Sequence, residues 1–92
     1  MVTVTYTTQL FREDDQVIAL CPELNVSSFG DTVDDALNSL QEAVVLFLEE
    51  CQRMGTLEAV LEEAGYHRES SESPRWLYRQ PIQVNRLEAS LA

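Results

Sequence analysis

Residues 19–37 put a strand-like run, a tight turn and a helix start in immediate succession, and they constrain the fold more than any other stretch. Ala19-Leu20-Cys21 is apolar and extended in character, and Pro22, which has no backbone donor, marks the end of a strand. Gly30 is read as a permissive turn residue, so that the chain passes directly into a helix opened by Thr32. Strands must therefore lie next to a helix with little connecting chain.

Upstream, Val2, Val4, Tyr6, Thr8 and Leu10 alternate with Thr3, Thr5, Thr7, Gln9 and Phe11, the period of two of a strand with one solvated face. Glu13-Asp14-Asp15-Gln16 then turns the chain. Val17 to Cys21 is short and continuously apolar, which predicts a central strand covered on both faces and paired with the first as a hairpin. Asn25 to Phe29 reads as a brief third strand.

Thr32 with Asp35 three residues on resembles a capping box, and Asp31, Asp34 and Asp35 sit where the helix dipole favours anions. Val33, Ala36, Leu37, Leu40, Ala43, Val44, Phe47, Leu48 and Cys51 recur at steps of three and four, forming one stripe expected to lie across the sheet. Gly55 closes this helix. Val45 and Leu46 fall outside the stripe, which predicts that something other than the domain's own sheet covers them.

A second helix runs from Thr56, with Leu57, Val60, Leu61 and Ala64 inward and a stop at Gly65 and Tyr66. His67 to Ser73 reads as a polar loop. Trp76 to Val84 has the residues of a final strand, but Pro81 confines it to an edge, a bend or an arm about residues 75–85, and an arm can cross to a neighbouring subunit. The expectation is one α+β domain over residues 1–92, in two layers. An antiparallel or mixed sheet of three to four strands, in the order β-β-β-α-α-β, packs against a long amphipathic helix.

A chain of 92 residues removes only about 60 to 65% of its unfolded surface from water, so association with another subunit is expected. Sixteen acidic against six basic side chains, none of them Lys, give a formal charge of −10. Such a field repels phosphate and attracts basic surfaces, which argues against direct nucleic-acid binding. Cys21 and Cys51 stand apart from any metal-ligand spacing and read as reduced core thiols. The longest apolar run, Ala43 to Leu48, is far short of the roughly 18 residues of a membrane span, and a cytoplasmic location is expected.

The hairpin, the segment Cys21-Pro22-Glu23-Leu24, and Gly30-Asp31-Thr32 entering a helix with Ala36-Leu37 together resemble the HicB-like antitoxin family over about Tyr6 to Tyr66. In that family a Cys-Pro-Asp-Leu-Pro-Gly type segment precedes Gly-Asp-Thr and an acidic pair; here Asn25 stands in place of Pro-Gly, and Asp34-Asp35 in place of two Glu. The resemblance implies a partial ribonuclease H-like fold, assembly into dimers or tetramers, and binding of a HicA toxin, a small basic RNA-cleaving protein. Full antitoxins of the family also carry a DNA-binding domain that represses their own operon, and residues after Tyr66 show no such basic pattern.

The expected function is therefore a non-enzymatic binding module that masks a HicA-like toxin; the alternative is an orphan self-associating protein of the same fold. A toxin-facing surface is expected from Glu13, Asp14, Asp15 and Glu23, gathered at the hairpin turn and strand end. The bland reading of the same carboxylates is a solvating coat. Trp76, Tyr78, Ile82 and Val84 either form an interface patch, with Val45 and Leu46 on the outer side of the long helix, or complete the sheet of their own subunit. A metal site at Asp31, Asp34 and Asp35 would be the mark of a degenerate nuclease, but helix capping explains these residues more simply. His67 is expected at the surface, and no cofactor, metal or catalytic residue is expected.

Overall fold

The computed structural model describes all residues from Met1 to Ala92. Its elements are β1 (Thr3–Val4), β2 (Gln9–Glu13), β3 (Gln16–Cys21), β4 (Val26–Gly30), α1 (Val33–Arg53), α2 (Leu57–Ala64), β5 (Tyr66–Arg68) and β6 (Arg75–Tyr78). The class is α+β. Instead of one sheet there are two of three strands, ordered β2-β3-β4 and β1-β6-β5. The first is antiparallel throughout; in the second, β1 runs parallel to β6, and β5 antiparallel to it.

Two of the six strands were not anticipated as separate elements, and each has a physical reason. The alternating stretch from Val2 to Leu10 is not one strand, because its first part pairs with β6 and its last part with β3. Thr5 N–H donates to the Trp76 carbonyl at 3.2 Å, whereas Gln9 lies opposite Leu20. A period of two reports alternation and says nothing of which neighbour the backbone bonds. The polar loop expected over His67 to Ser73 instead opens inside β5, where Tyr66 is buried and His67 and Arg68 are exposed. Three residues are too few to display a period.

β3 is central, as expected, but only one of its faces is covered. Val17, Ala19 and Cys21 are buried, and Ile18 and Leu20 are only half-buried. The buried set meets Ala36, Leu40 and Val44 of α1 in the main core, and Tyr6, Leu24, Val26 and Leu48 close its margins. A smaller core joins Leu61, Tyr66 and Trp76, and Leu24 and Leu48 pack against both clusters. Within the second sheet Tyr66 donates its hydroxyl to the Thr5 carbonyl at 2.7 Å and meets Tyr78 edge to face at 5.1 Å.

Thr32 caps α1, its hydroxyl accepting the Asp35 N–H at 3.1 Å. At the other end Gly55, at φ 72°, donates to the Gln52 carbonyl, while Thr56 N–H reaches back to Cys51. These two bonds make a complete Schellman stop. Gly30 plays a different part from the one read in the sequence. Its backbone does not lie in the left-handed region; a Cβ there would sit 2.6 Å from the Ala36 backbone nitrogen. The missing side chain lets α1 close onto β4. The left-handed residue of this region is Asn25, at φ 55°, a conformation Asn tolerates better than most side chains.

β6 ends at Tyr78, six residues short of the expected Val84. Arg79 N–H still bonds the Gly65 carbonyl at 3.2 Å, and Pro81 then removes a donor. Residues 79–92 form no regular element, and every one of them is exposed. No helix is long and apolar enough to cross a membrane.

Candidate functional site

β2 and β4 flank β3 and both run antiparallel to it, so both finish at the same end of their sheet. Glu13 faces Gln16, and Gly30 faces Val17. The turn residues Asp14 and Asp15 therefore lie at the same end of the sheet as Asp31 and the first turn of α1, with Asp34 and Asp35. Six exposed carboxylates, Glu13, Asp14, Asp15, Asp31, Asp34 and Asp35, occupy this one pole. In sequence they form two groups with separate explanations; the register makes them one surface. Asp14 turns the hairpin at φ 54°, which Asp tolerates.

Next to the pole lies the sheet face turned away from α1. Phe11, Ile18 and Phe29 are directly opposite one another across three strands, and in the next row of that face Leu20 sits between Gln9 and Ser27. Phe11 is 51% exposed and Phe29 58%. Side chains at such cross-strand positions touch, so the row is a continuous apolar strip with nothing of this chain over it. Phe11 alternates with Leu10 in the sequence; the reading of β3 as covered on both faces is what hid the strip.

Glu23 is not part of the acidic pole. It lies beyond the opposite end of β3, about 20 Å away at strand rise, and its carboxylate is occupied. Thr7 donates both its N–H, at 3.1 Å, and its hydroxyl, at 2.5 Å, and the Cys21 thiol donates at 3.6 Å. Burial alone would raise the Glu23 carboxyl, but these bonds outweigh it and hold it below the usual range. They also satisfy the backbone where the chain crosses from one sheet to the other and has no ladder partner. Glu23 is thus a fastener between the sheets.

The same seam contains a cleft of about 480 Å³ between Thr5-Tyr6-Thr7, Glu23, His67 and residues 77–81. Burial, with the nearby Glu23 charge assisting, pushes the Cys21 thiol up, which keeps it protonated and unreactive. Burial likewise raises Tyr6 and Tyr66. His67 is exposed in β5, one residue beyond Tyr66. The one carboxylate lining the cleft, Glu23, is the group to which the Thr7 hydroxyl and the Cys21 thiol donate. No group of three or more His, Cys, Asp or Glu side chains is arranged to hold a metal ion.

The residues expected at a subunit interface divide into two sets. Trp76 is buried and Tyr78 half-buried in the chain's own second core, which is the own-sheet alternative; Arg68 also stacks over the Trp76 ring at 5.1 Å. Val45 and Leu46 are 45% and 66% exposed on α1, and Ile82 and Val84 are 105% and 81% exposed in the C-terminal segment. Those four remain uncovered apolar surface.

No family model, no curated protein and no solved structure matches this chain. An apolar strip with a carboxylate pole at its end is chemically suited to docking. Apolar centre and charged rim is the anatomy of protein interfaces.

Proposed function

We propose that this chain is a protein-binding module that receives a small basic partner on the outer face of the β2-β3-β4 sheet, and that it performs no chemistry of its own. The observation that carries this reading is the juxtaposition of the Phe11–Ile18–Phe29 strip with the six-carboxylate pole. Aromatic anchors supply most of the energy of such an interface. The carboxylates speed the encounter and select for positive charge, and the formal charge of −10 works in the same direction.

The resemblance of Tyr6 to Tyr66 to HicB-like antitoxins gives that partner a chemical class: a HicA-like RNA-cleaving protein, masked in the cytoplasm by a partial ribonuclease H-like fold in which the long amphipathic α1 backs the sheet. Of the four carboxylates expected in the sequence, Glu13, Asp14 and Asp15 stay in the proposed contact; Glu23 leaves it for its role with Thr7, and Asp31 joins. The exposed Val45, Leu46, Ile82 and Val84 favour self-association as a second property, which would be the whole function if no toxin partner exists.

Co-expression with a basic HicA-like protein tests the proposal. Relief of toxicity and a salt-sensitive complex are expected, both lost in a Phe11→Ser/Phe29→Ser variant. Unrelieved toxicity with no complex at low salt would remove the toxin reading.

A further inference from the structure

Beyond Pro81 the C-terminal segment leaves its large apolar side chains uncovered. Residues 79–92 are exposed throughout, and Ile82, Val84, Leu87 and Leu91 are between 81% and 105% exposed. The radius of gyration is 15.9 Å, against about 12 Å for a compact chain of this length. Only ten residues are buried. Four large apolar side chains left in water on an extended segment call for a surface to receive them.

Such a surface exists on the far side of β1. A groove of about 720 Å³ runs between β1 and α1, walled by Val2 and Val4 on one side and by Val44, Val45 and Leu48 on the other. β1 is the outer strand of its sheet. The Thr3 N–H is taken by the carbonyl of Pro74, just before β6, and the N–H of Thr5, just beyond β1, by the Trp76 carbonyl of β6. By alternation, Val2 and Val4 direct their backbone groups away from β6 and toward this open side. An extended segment laid there gains strand hydrogen bonds and an apolar floor together, the mode of binding called strand addition.

We propose that the groove receives the arm of a second copy of this chain, exchanged reciprocally about a two-fold axis. The arm fits in pattern, since Ile82 and Val84 fall on one face of an extended chain with Gln83 on the other, and Pro81, which has no donor, precedes the paired stretch. It also fits in charge. Residues 79–92 carry Arg79 and Arg86 against Glu88 alone, in a chain with sixteen carboxylates and six guanidinium groups. On the receiving side Glu42 and Glu49 flank Val45 at three and four residues along α1, so Arg86 meets an acidic wall. Reciprocal exchange doubles the area buried, which lets two bodies of like charge associate. This proposal rests on the self-association reading above and is independent of the toxin.

The test uses the 92-residue chain with light scattering and a photo-crosslinker, p-benzoylphenylalanine, placed at Val84. The wild type is expected to have the mass of two chains or a multiple of it. Ile82→Asp/Val84→Asp and Val45→Asp are each expected to weaken association at least about 100-fold, because each places a carboxylate in an apolar seat, while far-UV circular dichroism stays unchanged. The crosslink is expected between chains, into peptides containing Val2–Val4 or Gln41–Gln52. A dimer that survives Ile82→Asp/Val84→Asp, or a crosslink that stays within one chain or reaches another surface, overturns arm exchange while self-association stands. A wild-type chain of single mass at 100 µM overturns both.

Discussion

Replacing Gly30 with Ala isolates the contact on which the β4–α1 union depends. The added Cβ would lie 2.6 Å from the Ala36 nitrogen, 2.7 Å from the Asp35 Cβ and 2.8 Å from the Asp35 carbonyl carbon. Two of those three atoms are backbone, so no side-chain rotation relieves the overlap. Ordinary contact begins near 3.4 Å, and α1 must therefore retreat from β4 by most of an ångström. That movement loosens Ala36 and Leu40, both fully buried in the main core. Overpacking of this kind costs about 2–3 kcal/mol, or roughly 10–20 °C in Tm for a domain of this size. Gly55→Ala is the matched control: its Cβ meets nothing within 4 Å, and only the positive φ of 72° opposes it, for about 1 kcal/mol. Thermal unfolding followed by circular dichroism compares the two. A Gly30→Ala variant as stable as Gly55→Ala would refute the close approach of helix to strand.

Other substitutions separate the fold from its surfaces. Leu40→Ala, in a fully buried position, should cost about 3–4 kcal/mol in urea unfolding; a loss below 1 kcal/mol would mean that α1 does not seat there. Tyr66→Phe deprives the Thr5 carbonyl of its 2.7 Å bond and should lower stability by about 1 kcal/mol, whereas an unchanged Tm would deny that bond a part in holding the second sheet together. Glu23→Gln tests pH dependence. Because the folded carboxyl is held below its usual 4.5, the wild type's advantage over Glu23→Gln is present in full above that value and shrinks as pH falls through the folded value; a gap that stays constant from pH 7 to pH 3 would contradict the fastening role. Leu46→Glu, on an exposed stretch of α1, should alter chain stability by less than about 0.5 kcal/mol yet lower the oligomeric state, and unchanged mass in light scattering would count against that face.

The helical half of the fold was legible because its signals are local. Thr32 as cap, Gly55 and Gly65 as stops, and the stripe from Val33 to Cys51 each depend on residues within one or two turns, although Val33 at the head of that stripe is 43% exposed. The hairpin was legible for the same reason, with the polar Glu13-Asp14-Asp15-Gln16 between an alternating stretch and a short apolar one. What escaped depends on partners distant in sequence. Nothing near Thr5 declares that Trp76 will take its N–H, nor that Glu23 will satisfy Thr7 across sixteen residues, so one alternating run was read where the chain serves two sheets. Gly30 was recognised as necessary for the wrong reason, since a helix packing on a strand leaves no trace in a turn signature.

The candidate surface shows the same division. Glu13, Asp14 and Asp15 were visible as a cluster, and the carboxylates at the start of α1 as dipole partners. Only the shared direction of β2 and β4 makes them neighbours. Phe11 and Phe29 are eighteen residues apart, and the row they form needs Ile18 between them, a relation set by pairing and not by periodicity. Val45 and Leu46 were correctly placed off the buried stripe, because a helical angle can be counted from sequence alone.

The proposed function requires that the Phe11–Ile18–Phe29 strip and its acidic pole bind a basic protein. Affinity purification of the wild-type chain and of Phe11→Ser/Phe29→Ser from the native cell, at low and high salt, with mass spectrometry of what is retained, asks this directly. A small basic protein held by the wild type at low salt, released at high salt and absent from the variant is the predicted result. Retention of the same proteins by both chains, or of none with net positive charge, would contradict it.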